Sequence, residues 1–262
     1  MASFTRSPYW HKFNGLSRYF VAHILSSFIP YIILNEYPRS GGSWICTMLS
    51  ECLMIPFPRN RLPMLNRCIL HGHKLHSWNL DNVIIIWRDG RDILISQYYH
   101  YLFENDRGNS LLVKNTRSDL NFKDYNDIQS NLEQFIDYMY KQPRHPKFTW
   151  RDFVFKWAEF DKGVHVKYED MLQDPIYELD KLLYTLTGKM YDKTMIAEVI
   201  KNHSFENITG RKKGDEVVNS FARKGVSGDW KKYFDNKARI KFNEYAGDAL
   251  IKLGYEKNDS WT

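Results

Sequence analysis

The chain has 262 residues, 43% of them hydrophobic, and a formal net charge of +6; this length and apolar content predict a single domain over residues 1 to 262 with a substantial core. Lys and Arg are scattered apart from the triplet Arg211, Lys212 and Lys213, which speaks against a nucleic-acid partner and for a smaller anionic ligand. Cys46, Cys52 and Cys68 are odd in number and form no CxxC pair, so neither a disulfide framework nor a zinc knuckle is indicated and a reducing, cytoplasmic setting is expected.

Residues 19 to 34 are apolar in character, but His23, Ser26, Ser27 and Pro30 interrupt them before the roughly 20 residues a membrane span needs. The pattern of a secretory signal is also missing. Residues 25 to 28 are expected to pack against the domain and 31 to 34 to form the first strand; peripheral membrane contact by this segment is the alternative. Next comes Tyr37-Pro-Arg-Ser-Gly-Gly-Ser-Trp44, a turn between that strand and a helix over 44 to 54. A strand that breaks through two glycines into a helix start aims backbone N–H groups and the positive helix end at one point, which suits an anion. The turn lacks the Gly-Lys-Ser/Thr ending whose hydroxyl holds magnesium in nucleotide triphosphate loops. A phosphate or phosphosulfate bound without metal is the inference.

Short apolar runs at 68 to 70, 83 to 87 and 164 to 166 read as further strands. Their continuous apolarity predicts a sheet covered on both faces, as parallel sheets are. Helical stripes follow Trp44, Met48 and Cys52; Ile128, Leu132, Phe135 and Met139; and Trp150, Phe153, Val154 and Trp157, the last opened by Thr149-x-x-Asp152, a capping box. Another helix runs from just after Pro175 to Gly188, and the last ends at Gly254. Residues 105 to 146, rich in polar and aromatic side chains with one clear helix, read as an insertion or acceptor lid. The alternation predicts a three-layer α/β/α fold with a central, mostly parallel sheet and a P-loop-like phosphosulfate-binding turn. Ligands in such folds lie beyond the carboxyl ends of the strands. The turns there, at Arg39, at 71 to 76 and at Arg88-Asp89-Gly90, are all polar or basic.

Two further clusters carry cations. Arg88 with Ser96, on a helix expected over 91 to 103, is able to clamp a second phosphate; the plainer reading pairs Arg88 with Asp89 or Asp92 and leaves Ser96 as filler. Arg223-Lys224-Gly225, followed by Gly228-Asp229-Trp230-Lys231, sets two cations beside glycines that permit close backbone approach. Its plainer reading is a charged surface turn.

Four stretches, YPRSGGSW at 37 to 44, WRDGRDILISQYYH at 87 to 100, VKYEDMLQDP at 166 to 175 and RKGVSGDWKKYF at 223 to 234, together resemble the sulfotransferases of cytosolic and bacterial type that use 3′-phosphoadenosine 5′-phosphosulfate (PAPS). The resemblance implies PAPS as co-substrate, adenosine 3′,5′-bisphosphate (PAP) as product and no metal. It implies that Arg39 meets the bridging oxygen and sulfonate, acting through charge alone because its guanidinium stays protonated. Ser40, Gly41, Gly42, Ser43 and Trp44 are then donors to the 5′-phosphate, with Trp44 also stacking on adenine. Arg88, Ser96, Arg223, Lys224 and Gly225 hold the 3′-phosphate, Tyr168 contacts the adenine, and Ser204 with Phe205 resembles a further adenine-edge pair.

An acceptor alcohol needs a general base, and histidine titrates near working pH. Aligned with the family, the run Ile69-Leu70-His71-Gly72-His73-Lys74 places the base at His73, while His71 stands where many members carry lysine. The implied reaction is one in-line transfer to a hydroxyl, less readily to an amine, of a small-molecule, glycan or glycolipid acceptor. Alternatives are a P-loop kinase or nucleotide hydrolase and a non-catalytic nucleotide-binding module. Metal ligation by His71 and His73 lacks a third ligand of suitable spacing. Tyr98, Tyr99, Tyr101, Phe103, Phe122 and Tyr125 are candidates for an apolar acceptor mouth or for core. The family's short dimer motif is not cleanly present between Lys237 and Glu244, and the oligomeric state stays open.

Overall fold

The computed structural model describes residues 8 to 59, 61 to 80 and 83 to 262; the first seven residues of the expected domain lie outside them. The four apolar runs form strands β1 (Ile32–Glu36), β2 (Ile69–Gly72), β3 (Val83–Trp87) and β4 (Gly163–Lys167). They make one all-parallel sheet in the order β2-β1-β3-β4. β1 and β3 are buried along their whole length, as expected for strands covered on both faces.

The described residues group into two compact units. The first takes those up to Trp87 together with Phe160–His203, and the second takes Arg88–Glu159 and Ser204–Thr262. In the first unit the sheet carries helices α1 (Pro8–His23) and α2 (Gly42–Leu53), then α7 (Tyr168–Gln173), α8 (Pro175–Thr187) and α9 (Lys193–Asn202). Ile45, Met48 and Leu49 of α2 pack with Leu34, Ile84 and Ile86 of the sheet and with Leu179 and Leu183 of α8 in one apolar cluster. α8 starts on Pro175 and stops where Gly188 turns left-handed, the proline-first, glycine-last asymmetry visible in its sequence.

The N-terminal segment differs from expectation. It forms α1, and among the described residues its buried side chains are Asn14, Val21, Ala22 and His23. Residues 25 to 28 do not pack as expected: the turn Leu25–Ser27 buries no residue and Phe28 stands in solvent. No helix among the described residues is long and apolar enough to cross a membrane.

The second unit is helical, with α3 (Gly90–Leu102), α4 (Ser110–Leu120), α5 (Ile128–Lys141), α6 (Trp150–Trp157), α10 (Phe205–Thr209) and α11 (Asn236–Lys252). Thr149 and Asp152 form the predicted capping box of α6. The segment 105 to 146 holds two helices rather than one. α4 escapes a periodicity reading because only Val113, Thr116 and Leu120 of it are buried. Tyr98, Tyr99 and Tyr101 prove to be core, with Tyr98 stacked against Phe122 and its hydroxyl donated to the Tyr125 carbonyl at 2.9 Å.

Candidate active site

β1 pairs with β2 on one side and β3 on the other, so the order of successive strands switches direction at β1, and open α/β sheets place ligands beyond the carboxyl ends of the strands at such a point. The turn after β1 leaves at that edge. Within it the Tyr37 carbonyl accepts from Ser40 N at 3.2 Å and from Ser40 Oγ at 2.7 Å. Arg39 adopts φ +80°, a left-handed conformation that costs a non-glycine residue roughly 1 kcal/mol or more and that gathers at functional sites. Gly41, at φ +94°, caps α2. A side chain there is doubly excluded, because a Cβ would fall 2.6 Å from the Tyr168 ring.

The last two residues of β1 fasten the segment that leaves β2. Register brings Asn35 opposite Gly72, and Asn35 exchanges hydrogen bonds with Lys74, from Nδ2 to the Lys74 carbonyl at 3.0 Å and from Lys74 N to Oδ1 at 2.7 Å. The buried Glu36 carboxylate bridges two elements: Oε1 lies 2.8 Å from His71 Nε2, and Oε2 accepts from Gly42 N at 2.5 Å. The Glu36 carbonyl lies 2.9 Å from His73 Nδ1. A carbonyl only accepts, so Nδ1 carries the proton and the neutral His73 ring turns an unprotonated Nε2 outward as its acceptor atom.

The electrostatics arise from this packing. Burial opposes ionisation of Glu36, but the hydrogen bond and charge of His71, with His73 and the Gly42 N–H behind them, hold its carboxyl below the ordinary range. Lost hydration, and after it His71, lower the pKa of His73, although the side chain keeps contact with solvent. Burial, and then Arg18, push Lys74 down to about 8. The ligating atoms of Glu36, His71 and His73 lie within 4.8 Å of one another, so the structure supplies the third donor that His71 and His73 lack in sequence. Each of the three already has a hydrogen-bond partner: His71 Nε2 on Glu36 Oε1, Gly42 N on Oε2 and His73 Nδ1 on the Glu36 carbonyl.

Tyr168 opens α7 directly after β4, and its ring meets Trp44 edge-on with centroids 6.1 Å apart. The Trp44 indole N–H donates to the His203 carbonyl at 2.8 Å. Ser43 and Trp44 lie in the first turn of α2. The first unit thus gathers Arg39 to Trp44, His73 and Tyr168.

In the second unit Arg88 Nη2 donates to the Val226 carbonyl at 3.3 Å, and Ser96 lies buried on α3. The Asp92 carboxylate accepts from Gly228 N at 2.5 Å and Trp230 N at 3.0 Å, fastening this loop to α3. Asp89 caps α3 and pairs with Arg91. Arg223 pairs with Glu216 and, at 2.7 Å, with Asp229, and it lies over the Tyr99 ring. Lys224 is buried and meets Asp229 at 2.6 Å, so this stretch is not a solvated turn. Burial works against the charge on Asp229, yet Lys224 and Arg223 hold its carboxyl below the usual range. Gly225, at φ +66°, approaches Phe205 so closely that a Cβ would sit 2.5 Å from the ring, and Ser204 Oγ caps α10 by accepting from Asn207 N. Asn35, Glu36, Asp92 and Asp229 escape the sequence reading; a polar pair ending an apolar strand was the available signal for the first two.

Residues 70–254 match the family model of the sulfotransferase domain. The chain belongs to the sulfotransferase family, the PAPS-dependent class its four stretches resemble. Sulfotransferase 1E1 of Cavia porcellus is 25% identical over 260 residues, with 82% of this chain and 81% of that protein covered. Among solved structures, mouse sulfotransferase SULT7A1 complexed with PAP superposes with a TM-score of 0.65 at 18% identity, covering 92% of this chain and 94% of that one. Retinol dehydratase in complex with androsterone and PAP gives 0.58 at 14% identity, covering 90% and 85%.

Proposed function

We propose that this protein moves a sulfuryl group from PAPS to an acceptor hydroxyl in one in-line step, with His73 as the general base. The observation that carries this reading is the His73 Nδ1 contact to the Glu36 carbonyl, which leaves Nε2 free to take a proton, in the segment that Asn35 and Glu36 fasten beside the 37 to 44 turn. His73 Nε2 takes the hydroxyl proton, the oxygen forms a bond to sulfur, and the bond from sulfur to the bridging oxygen breaks. The electron pair leaves with PAP. Arg39 meets the charge that develops on the leaving oxygen, and the donors of Ser40, Gly41, Gly42 and Ser43 hold the 5′-phosphate. Preset charges of this kind supply much of such a rate enhancement.

Trp44 and Tyr168 receive the adenine, with Ser204 and Phe205 at its edge. Arg88, Ser96, Arg223, Lys224 and Gly225 take the 3′-phosphate. The carboxylates of Asp229 and Glu216 keep Arg223 and Lys224 in place and charged before the nucleotide arrives. His71, held by Glu36, supplies a donor where many relatives carry lysine. The neighbour with androsterone makes lipophilic alcohols the first acceptors to screen, and residues 105 to 146 are assigned as the acceptor lid. All three cysteines are free and buried, which fits work in the reducing cytoplasm.

The test is transfer of labelled sulfate from PAPS to an alcohol and phenol panel in the presence of a chelator. Sulfated product without divalent metal is expected; magnesium-dependent nucleotide hydrolysis without sulfation contradicts the reading. The pH profile checks the base. Because His73 must be neutral to act and its pKa is lowered, kcat/KM falls on the acid side with an inflection below about 6.5. An inflection at or above that value speaks against the assignment.

A further inference from the structure

Beyond sulfuryl transfer, the surface around α1 has its own character. Residues 1 to 35 and 52 to 80 together hold seven Lys and Arg and no Asp or Glu, against +6 for the whole chain; the rest of the sequence is close to neutral. The described parts of these stretches meet in space. The Arg18 guanidinium donates to the carbonyls of Pro58, Arg59 and Arg61 at 2.5 Å, fastening that loop to α1. His23 Nδ1 lies 2.5 Å from the Trp78 carbonyl, and Asn79 Nδ2 donates to the His23 carbonyl.

Phe13, Leu16 and Phe20 follow one another at helical spacing along α1, with Ile24 just past its end, and all four are exposed, Leu16 to 70%. Beyond them Phe28 is 82% exposed, Leu65 75% and Trp78 62%. Arg61 and Arg67, both exposed, flank Leu65. Large apolar side chains interleaved with cations, without an acid among them, match a surface that is apolar beneath an anionic layer. Tryptophan favours that boundary, and a 16-residue helix lies on a bilayer rather than spanning it.

We propose that α1, with the Leu65 loop and Trp78, is an interfacial surface that lays this protein on an anionic lipid bilayer. The proposal does not rest on the donor or the base assigned above. Co-sedimentation with vesicles tests it. The wild-type chain is expected to pellet with phosphatidylcholine–phosphatidylserine vesicles, not with phosphatidylcholine alone, and to release as salt rises. Leu16→Glu with Phe20→Glu, and separately Arg61→Glu with Arg67→Glu, should each weaken binding by about tenfold or more, with circular dichroism and PAP affinity unchanged. Lack of binding to the anionic vesicles, equal binding to both kinds, or unaltered binding by both variants overturns the proposal. So does a wild-type dimer that Leu16→Glu dissociates, since that makes this face a contact between copies of the chain.

Discussion

Replacing His73 with alanine is expected to lower kcat by about 10²-fold to 10⁴-fold, the usual contribution of a positioned general base, while PAP affinity changes little. In the proposed mechanism the imidazole takes the acceptor proton and does not contact the nucleotide, so the loss belongs in kcat rather than in donor KM. His73→Gln keeps a donor to the Glu36 carbonyl without offering a base, and should be as slow as alanine. His71→Ala should cost less, because Glu36 keeps its hydrogen bond from Gly42 N and the His73 contact to the Glu36 backbone is independent of His71. Near-normal turnover in His73→Ala alongside a slow His71→Ala would move the base to His71.

The second large effect is expected at Arg223. Hydrogen bonds from a charged group are worth about 1.5–3 kcal/mol each, and a guanidinium offers them to phosphate in pairs. Arg223→Ala should therefore weaken PAP binding by about 10²-fold or more while adenosine 5′-phosphate, which lacks the 3′-phosphate, binds as before. The comparison is needed because Arg223 also neutralises Asp229 and Glu216. Removing it leaves both carboxylates with less compensating charge, Lys224 being a remaining partner of each, and a purely structural role would weaken both nucleotides alike. Titration calorimetry with the two ligands separates these outcomes.

Much of this arrangement is legible in sequence wherever the signal is local. β3 lies where five consecutive apolar residues place it, Thr149 and Asp152 announce the start of α6 three residues apart, and Pro175 and Gly188 bracket α8. The turn at Arg39 is equally plain, since two glycines between an apolar strand and a helical stripe leave few alternatives. Its left-handed Arg39 is not, because nothing in the residue type demands φ +80°. Contacts set by register are the least legible. Glu36 and His73 stand 37 positions apart, and only the parallel pairing of β1 with β2 brings them together. Asp92 and Asp229 are hidden for the same reason. Each looks like a surface carboxylate in a helical or turn sequence, and each acquires its role from a loop or cation that packing delivers. The aromatic run at Tyr98 to Tyr101 reads equally well as acceptor mouth or core, and burial decides for core.

The proposed function requires one nucleotide to engage the 37 to 44 turn through its 5′ end and the Arg88 and Arg223 groups through its 3′-phosphate. A crystal structure of the chain with PAP tests this most directly. The prediction is a 5′-phosphate on the donors of Ser40 to Trp44, a 3′-phosphate within hydrogen-bond distance of Arg88, Ser96 and Arg223, and His73 Nε2 facing the position the sulfuryl group has left. A nucleotide bound elsewhere, or one whose 3′-phosphate stands in solvent away from both arginines, contradicts it.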